Sequence, residues 1–367
     1  MSNLKILKKA YDRIGNDHVR GMILDTAERL RIPKDVVRMD INSNCNVRCI
    51  MCNQGQACDE KGVMSLEQFK SIMDTFAPNI RMLYLSCAYE PLLTPNFTQY
   101  LRYAKIKGIP YVSFCTNAML MDEKVISQLV ASQVDEVIIS FNGFREEDYN
   151  RIMKGSDYQK VCDNIKQLND RKRAKHVVKP RIRLNTILLK SNVLHLEAML
   201  RFLIDYQIDT IQFRELVVYE NQNDPEEVQK ELLANLSVDA YQDIATNIHE
   251  MVKLMRDLGK EVILPTSFDP KYPVSPKAEI QGDEQSVSIQ KQHGQKKSCS
   301  IPCFSKWIDW TGNIRVCGYD EQGIIGNALE HDVLTLKEKR KQFRRLALAG
   351  ECSSELCTMN IDTSTIL

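Results

Sequence analysis

Hydrophobic and polar residues alternate along this chain with two periods, one typical of strands and one typical of helices. Residues 37–42 alternate as a half-buried strand does, and they lead directly into Cys45. Strand-like runs and longer runs with helical spacing then follow one another as far as residue 216. The further predicted strands are 82–86, 111–115, 134–140, 181–189 and 210–216, and the predicted helices are 97–107, 122–132, 158–168 and 194–206.

One more helix is predicted from a local start signal. Ser65 precedes an apolar run that ends at Phe76, and Gln68 stands three residues after it, which makes a capping box. Strands that alternate with helices form a parallel sheet with crossover helices. The pattern therefore predicts an α/β fold, a partial (β/α)6 TIM-like barrel, open or closed. Reactive groups of such barrels gather at the C-terminal ends of the strands, where the Cys45 loop is expected.

The pattern also divides the chain into four segments. Residues 1–36 have mostly helical spacing and form a predicted N-terminal extension, and residues 37–266 form the barrel, ending in an amphipathic helix over 238–258. Residues 267–298 are polar and contain three prolines, which predicts a linker or lid. Residues 299–367 form a short cysteine-rich module.

Composition and charge exclude several classes of protein. Hydrophobic residues make up 43% and charged residues 26%, as in ordinary globular proteins. Lys and Arg number 49 against 48 Asp and Glu, so the net charge is +1 and we expect no nucleic-acid partner. No apolar run is long enough to span a bilayer, and the start lacks a signal peptide. We therefore expect a cytoplasmic protein without a membrane partner.

The twelve cysteines are concentrated at the two ends of the chain. Cytosolic thiols are kept reduced, so metal binding or catalysis explains them better than disulfides do. Two metal sites, one near each end, are the natural interpretation. The early group is Cys45, Cys49, Cys52 and Cys58, the late group is Cys299, Cys303, Cys317, Cys352 and Cys357, and Cys87, Cys115 and Cys162 lie between them.

The early group contains a CxxxCxxC array, Cys45, Cys49 and Cys52, on one short segment. Three thiolates on a 4Fe–4S cluster leave one iron without a protein ligand, free to coordinate a small molecule. A structural zinc site more often uses paired CxxC knuckles with a fourth Cys or His. We therefore expect an iron–sulfur cluster here, with a zinc knuckle as the alternative.

This array, placed after the first strand of a βα barrel and with Met51 before the last cysteine, resembles that of the radical S-adenosylmethionine (radical SAM) superfamily. The resemblance implies that the open iron binds the amino and carboxylate groups of S-adenosylmethionine. It further implies that the reduced cluster splits this cofactor into methionine and a 5'-deoxyadenosyl radical. Met51 is a cofactor-binding candidate by the same resemblance.

Other strand ends match the same family segment by segment. The run from Ser86 to Pro91 resembles the loop, usually rich in glycine and ending in Glu-Pro, that binds the methionine amino group. Cys87, Ala88 and Tyr89 replace the usual glycines, and Glu90 and Pro91 match. The resemblance makes Ala88, Tyr89, Glu90 and Pro91 candidate cofactor-binding residues.

Three further strand ends supply candidates by the same resemblance. Thr116 and Asn117 correspond to a Thr-Asn-Gly segment, with Ala118 where glycine is usual. Ser140 and Asn142 correspond to a Ser-x-Asp-Gly segment, with Asn in place of Asp. The cofactor-binding candidates at these ends are Thr116, Asn117, Ser140, Asn142 and Asn185.

The late cysteines, in a hairpin pattern around Gly312, resemble the start of a SPASM or twitch domain, which holds auxiliary iron–sulfur clusters. Five cysteines fit one auxiliary 4Fe–4S cluster in a twitch-like or shortened domain, with four of the five as ligands. A zinc ribbon is the alternative. The candidate ligands are Cys299, Cys303, Cys317, Cys352 and Cys357.

Cys87 and Cys58 are expected near the mouth of the barrel, where a thiol can donate a hydrogen atom to a substrate radical. They are therefore the candidate catalytic residues beside the cluster. Cys115 and Cys162 are expected to be packed thiols.

Together these features predict a radical SAM oxidoreductase that abstracts a hydrogen atom from a sugar, aminocyclitol or similar small molecule and ends in oxidation or epimerisation. A flavodoxin- or ferredoxin-type protein is the expected electron donor. Only about 37 residues precede the first strand, which is short for the leader-binding domain of many peptide-modifying relatives. A peptide maturase is the alternative within this family, and a zinc-stabilised, non-catalytic binding or redox-regulatory protein is the alternative outside it.

Overall fold

A computed structural model describes residues 35–53, 61–218, 222–265, 305–316, 324–331 and 333–348, with Val19, Met22, Ile23 and Thr26 in addition. Several residues with predicted roles lie outside this part of the chain. They are Cys58, Cys299, Cys303, Cys317, Cys352 and Cys357.

Ten strands and ten helices are found in the described residues, apart from short 3-10 turns. The strands are β1 (Asp35–Met39), β2 (Ile80–Leu85), β3 (Tyr111–Thr116), β4 (Glu136–Ser140), β5 (Arg181–Leu188), β6 (Thr210–Glu215), β7 (Glu261–Ile263), β8 (Ser305–Ile308), β9 (Asn313–Arg315) and β10 (Ile324–Asn327). The helices are α1 (Leu66–Phe76), α2 (Phe97–Ile106), α3 (Glu123–Ser132), α4 (Glu146–Ile152), α5 (Tyr158–Ala174), α6 (Lys190–Val193), α7 (Leu196–Asp205), α8 (Pro225–Lys230), α9 (Val238–Asp257) and α10 (Val333–Leu348).

Strands β1 to β7 lie side by side in chain order and are all parallel. The sheet does not close, because the other edge of β1 pairs with β8 rather than with β7. Strand β8 runs parallel to β1, and β9 and β10 follow it as antiparallel partners. The predicted α/β fold with an open parallel barrel is therefore confirmed.

The predicted elements of the barrel agree with the structure to within a few residues at most ends. Ser65 and Gln68 form the predicted capping box, with each side chain bonded to the other residue's backbone N–H. The strand predicted over 134–140 begins later, at Glu136, because the preceding residue turns its carboxylate back to the backbone of β3. Helix α4 was not predicted, since seven residues are too few for a periodic signal.

The two faces of the parallel sheet differ in polarity. The face that packs against the helices carries buried apolar side chains such as Met39, Leu83 and Phe114. The opposite face carries polar side chains, and on it the Glu136 carboxylate pairs with Arg183 at 2.7 Å. The side chains therefore give the barrel an apolar outer layer and a polar concave surface.

The C-terminal segment is attached to the barrel by buried charges as well as by β8. Asp35, at the start of β1, pairs with Arg340 of α10 at 2.9 Å and also with Lys306 of β8. All three residues are buried. The proposed division into four segments stays a prediction, but the described part of the last one shares the sheet of the barrel. No described helix is both long enough and apolar enough to cross a membrane.

Candidate functional site

The three cysteines of the CxxxCxxC array lie half-buried on the loop that follows β1. The backbone of this loop is held by its neighbours on one side. The N–H of Arg48 donates to the carbonyl of Lys154 at 2.7 Å, and that of Ile50 donates to the carbonyl of Ile152 at 3.0 Å. These bonds join the loop to the end of α4 and to the turn after it, so the short helix positions the cysteines.

Residues before α8 hold the same loop from a second side. The side chain of Asn223 donates to the carbonyl of Cys49 at 3.0 Å, and its backbone N–H donates to the carbonyl of Cys52 at 3.0 Å. The side chain of Gln222 donates to the carbonyl of Met51 at 3.1 Å. Because these bonds use main-chain oxygens, they leave the three thiols free to bind metal.

The chemistry of the thiols fits a cluster. Burial raises the pKa of Cys45 and of Cys49. The charge of Glu90 raises the pKa of Cys45 further, and neighbouring thiols raise the pKa of both cysteines. Thiols in this state become thiolates when a metal takes the proton's place. No three His, Cys, Asp or Glu side chains in the described ranges are arranged around a single ion. Cluster binding does not require such an arrangement, because each thiolate binds a different iron.

A depression in the surface opens beside this loop. Its walls include Cys45, Cys52, Lys61, Tyr89 and Asn223. The ammonium group of Lys61 lies 6.0 Å from the centre of the Tyr89 ring. The depression brings two predicted ligands together with Tyr89 of the loop after β2.

Glu90 connects the loop after β2 with the end of β3. Its carboxylate accepts hydrogen bonds from the Thr116 hydroxyl at 2.8 Å and from the backbone N–H of Asn117 at 2.8 Å. Its backbone N–H donates to the carbonyl of Asn44, next to the first cysteine, at 2.9 Å. Burial raises the pKa of Glu90 to about 7, although Asn117, Thr116 and Leu92 donate to its carboxylate.

The end of β3 also contacts the cysteine loop directly. The side chain of Asn117 donates to the side chain of Asn46 at 2.9 Å. The next residue, Ala118, has a left-handed backbone with φ of 63°, which glycine adopts more easily. Ala118 stands where the Thr-Asn-Gly segment of the radical SAM family has glycine, and its backbone keeps a conformation typical of glycine. The Ala118 carbonyl accepts a hydrogen bond from Asn164 at 2.8 Å.

Asn142, after β4, lies below the cysteine loop. Its side-chain oxygen accepts from the backbone N–H of Ile187 at 2.9 Å, and its amide nitrogen lies 3.2 Å from the sulfur of Met153. That sulfur lies 3.4 Å from the Cys49 sulfur. The next residue is Gly143, where a Cβ would lie 2.4 Å from the backbone nitrogen of Tyr149, so only glycine fits without a shift.

Two predicted residues on the concave face have polar atoms near the strand ends. Asn185 has a buried side-chain oxygen without a hydrogen-bond partner in the described structure. Its strand neighbour Ser140 lies 3.5 Å from the Cys115 sulfur. A buried acceptor without a partner is costly in a finished protein interior, so Asn185 suits a site completed by a ligand.

The structure therefore brings most predicted residues to one edge of the sheet, and their roles toward the cofactor stay predictions. Cys87 lies beside this edge. Part of the residue is exposed, but the protein around its sulfur desolvates the thiol, and this effect, followed by the negative charge of Asp40, raises its pKa. Cys162 is buried as expected.

Sequence reasoning missed five residues that support the site. They carry no local signal and are recognised only by their contacts: Asp40, Asn46, Met153, Gln222 and Asn223.

Known proteins resemble this chain in sequence and in fold. Residues 39–203 match the family model described as the radical SAM superfamily. A tungsten-containing aldehyde ferredoxin oxidoreductase cofactor-modifying protein of Pyrococcus furiosus is 24% identical over 269 residues, which are 72% of this chain and 70% of that protein. A GTP 3',8-cyclase of Lactiplantibacillus plantarum is 27% identical over 172 residues, 46% of this chain and 49% of the cyclase. The chain thus spans about half the length of that cyclase.

Solved structures show the same fold. SuiB of Streptococcus suis bound to S-adenosylmethionine aligns with a TM-score of 0.62 at 13% identity, covering 91% of this chain and 75% of SuiB. Native anSMEcpe with bound AdoMet aligns with a TM-score of 0.59 at 16% identity, covering 85% of this chain and 83% of that one. The cofactors that belong to the family are a 4Fe–4S cluster and S-adenosylmethionine. On the sequence match over residues 39–203 and on its fold, this chain contains a radical SAM domain.

Proposed function

We propose that Cys45, Cys49 and Cys52 hold the 4Fe–4S cluster of this enzyme and that S-adenosylmethionine binds beside it, against the ends of β2 to β5. The observation that carries the proposal is the placement of three thiols on one loop that hydrogen bonds hold on two sides. When bound, the reduced cluster donates an electron to S-adenosylmethionine, which splits into methionine and a 5'-deoxyadenosyl radical that removes a hydrogen atom from the substrate.

The residues of the chain orient the cofactor and exclude water. Glu90 holds the loop after β2 against β3, so the backbone of Ala88 and Tyr89 is available to the methionine part of the cofactor. The hydrogen bond from Asn117 to Asn46 connects the end of β3 with the cysteine loop, so it fixes the distance between the cofactor-binding strand end and the cluster ligands. Ser140 and Asn185 offer polar atoms to the rest of the cofactor. Met51, buried between two cluster ligands, and Pro91 shape the surrounding walls.

For the substrate, we propose a small polar molecule such as a sugar or aminocyclitol. The concave face supports this, because it carries polar atoms without a protein partner, including the Ser113 hydroxyl and the Arg183 Nε. Hydroxyl-rich ligands satisfy such atoms, whereas an apolar ligand leaves them unpaired. The names of the relatives, a cofactor-modifying protein and GTP cyclases, also indicate small molecules.

A peptide substrate is the alternative within the family. One solved structure of similar fold is SuiB bound to the precursor peptide SuiA, at 14% identity. That likeness concerns fold, so it supports the peptide less than the polar concave face supports a small molecule.

The fate of the substrate radical depends on a second group, and two kinds are proposed: a thiol that donates a hydrogen atom and an auxiliary cluster that accepts an electron. Cys87 suits hydrogen-atom donation, because its raised pKa keeps the sulfur protonated at neutral pH. Such donation gives epimerisation and leaves a thiyl radical on Cys87, which one electron from the external donor and one proton return to the thiol. Cys58 is the second candidate donor and lies outside the described residues. An auxiliary cluster held by four of the five late cysteines would instead accept the electron of the substrate radical, and loss of a proton from the substrate would complete the oxidation. A flavodoxin- or ferredoxin-type donor and a cytoplasmic location complete the proposal.

The experiment is anaerobic purification and cluster reconstitution, followed by iron, sulfide and zinc analysis and by measurement of 5'-deoxyadenosine formed with dithionite. We expect about four irons per chain for the first cluster and about eight if the auxiliary cluster is present. Replacing Cys45, Cys49 and Cys52 together by alanine should remove about four irons and abolish 5'-deoxyadenosine.

The matched control is Cys162→Ala, which removes a buried thiol that packs in the core rather than in the cysteine loop. It should keep both the iron and the product. Zinc without iron in the wild-type protein would instead support the zinc-stabilised, non-catalytic alternative.

A further inference from the structure

Asp40 is the first residue after β1, and it contacts the loop after β2. One oxygen of its carboxylate, Oδ1, accepts hydrogen bonds from the backbone N–H of Cys87 at 2.8 Å and from that of Ala88 at 3.0 Å. Two successive N–H groups that point at one atom fix the orientation of the peptide between them. Asp40 therefore sets the conformation of the residues that stand where the resembled loop has glycine.

This loop needs an external support because its sequence does not favour its conformation. Ser86 has φ of 56°, in the left-handed region that a residue other than glycine adopts at a cost. Its N–H donates to the Met39 carbonyl at 2.7 Å, and the N–H of Glu90 donates to the Asn44 carbonyl at 2.9 Å. One end of the loop is thus attached to the last residue of β1 and the other to the segment that follows β1, and Asp40 holds the middle.

The same residue is attached to the C-terminal part of the chain. The backbone N–H of Asp40 donates to the carbonyl of Ile308, the last residue of β8, at 2.9 Å. The negative charge of Asp309, the next residue, acts on the Asp40 carboxyl. Asp40 consequently connects β8, through its backbone, with the loop after β2, through its carboxylate.

We propose that Asp40 is a positioning residue for S-adenosylmethionine. Its two hydrogen bonds stabilise a loop conformation that the glycines of the family's loop would adopt without such support. This inference rests on the proposed function, in which the loop after β2 binds the methionine part of the cofactor. Asp40 acts through the loop backbone, so its substitution should change cofactor affinity while the cluster still forms.

The test compares three variants of the cluster-loaded protein. Asp40→Ala removes the acceptor, and Asp40→Asn keeps an oxygen that accepts both N–H bonds. Asp209→Ala is the matched control, because the Asp209 carboxylate accepts the backbone N–H of Ile182 at 2.8 Å at the opposite edge of the sheet. Affinity for S-adenosylmethionine is measured by equilibrium dialysis, and amide hydrogen exchange is measured on the peptide that contains residues 86–93.

We expect Asp40→Ala to weaken cofactor binding by about tenfold or more and to speed exchange of the Cys87 and Ala88 amides, with iron content unchanged. Asp40→Asn and Asp209→Ala should stay within about threefold of wild type. The proposal is overturned if Asp40→Ala binds the cofactor as wild type does, or if Asp40→Asn is as weak as Asp40→Ala. If the wild-type protein binds the cofactor but forms no 5'-deoxyadenosine, the proposed function is contradicted and the role of Asp40 is not. The affinities of the variants still decide whether Asp40 positions the cofactor.

Discussion

The backbone N–H of Asn117 donates to the carboxylate of Glu90 at 2.8 Å, and this bond joins the ends of two adjacent parallel strands. The same carboxylate accepts the Thr116 hydroxyl, and the side chain of Asn117 continues to Asn46 on the cysteine loop. The cluster loop and the two strand ends beside it are therefore one hydrogen-bonded unit. Its central carboxylate is almost completely buried, at 1% exposure.

Replacing Glu90 by alanine should separate these strand ends. The variant leaves the Asn117 N–H and the Thr116 hydroxyl without their acceptor, and each unpaired buried donor costs about 1–3 kcal/mol. We expect 5'-deoxyadenosine formation to fall by about tenfold to a hundredfold at subsaturating cofactor. Glu67→Ala, on the exposed surface of α1, is the control and should leave the rate unchanged. An unchanged rate in Glu90→Ala would show that the strand ends do not need this carboxylate.

Gly62 should tolerate a side chain only when Trp310 is removed. A Cβ on Gly62 would lie 2.0 Å from the ring of Trp310, on the turn between β8 and β9. The Gly62 carbonyl accepts a hydrogen bond from the backbone N–H of Ser43 at 3.0 Å, and the Gly62 N–H donates to the Ser43 hydroxyl at 2.9 Å. Ser43 lies two residues before Cys45, the first cysteine of the loop. Gly62→Ala should therefore displace the cysteine loop and lower the iron content after reconstitution.

The double variant Gly62→Ala with Trp310→Ala gives the control for this steric argument. Removing the ring creates room for the new methyl group, so the iron content should recover toward that of Trp310→Ala alone. Equal loss in the single and double variants would mean that the ring is not what excludes a side chain at this position.

Asp35→Asn should loosen the C-terminal segment. Asp35 is paired with Lys306 and Arg340 in a buried site, and removing one partner of a buried ion pair leaves uncompensated charge. We expect a loss of about 3 kcal/mol in the free energy of unfolding and faster proteolysis beyond residue 265. Asp170→Asn, which breaks an exposed pair with Arg173, should cost less than about 0.5 kcal/mol. Urea unfolding of the two variants makes the comparison.

Acid should destabilise the barrel partly through Asp135. Burial raises the pKa of this carboxyl, but hydrogen bonds from Lys105, Lys179 and the Val112 N–H outweigh burial and bring it below the usual value. A lowered folded-state pKa contributes stability above the unfolded value near 3.8, and that contribution is lost as the pH falls through the folded value. Between pH 5 and pH 3, wild type should therefore lose more stability than Asp135→Asn. Thermal unfolding of the cluster-free proteins tests this, and parallel curves would contradict it.

Much of the fold and the centre of the site follow from local sequence signals. The alternation of strand and helix patterns predicts the parallel sheet, because each period depends only on neighbouring residues. Cys45, Cys49 and Cys52 are recognisable from their spacing, since cluster ligands on one loop need no distant partner. The match of Glu90 with a known loop is local in the same way.

Only the tertiary structure decided which residues support the cysteine loop and the loop after β2, because the supporting contacts join residues far apart in the chain. Nothing in the sequence around Asp40 indicates that it holds Cys87 and Ala88, 47 and 48 residues away. Nor does the sequence indicate that Asn223 supports the Cys49 backbone across 174 residues. The sequence by itself determined which groups can bind the cluster, whereas folding decided which backbone atoms and carboxylates hold them, since hydrogen bonds act between neighbours in space.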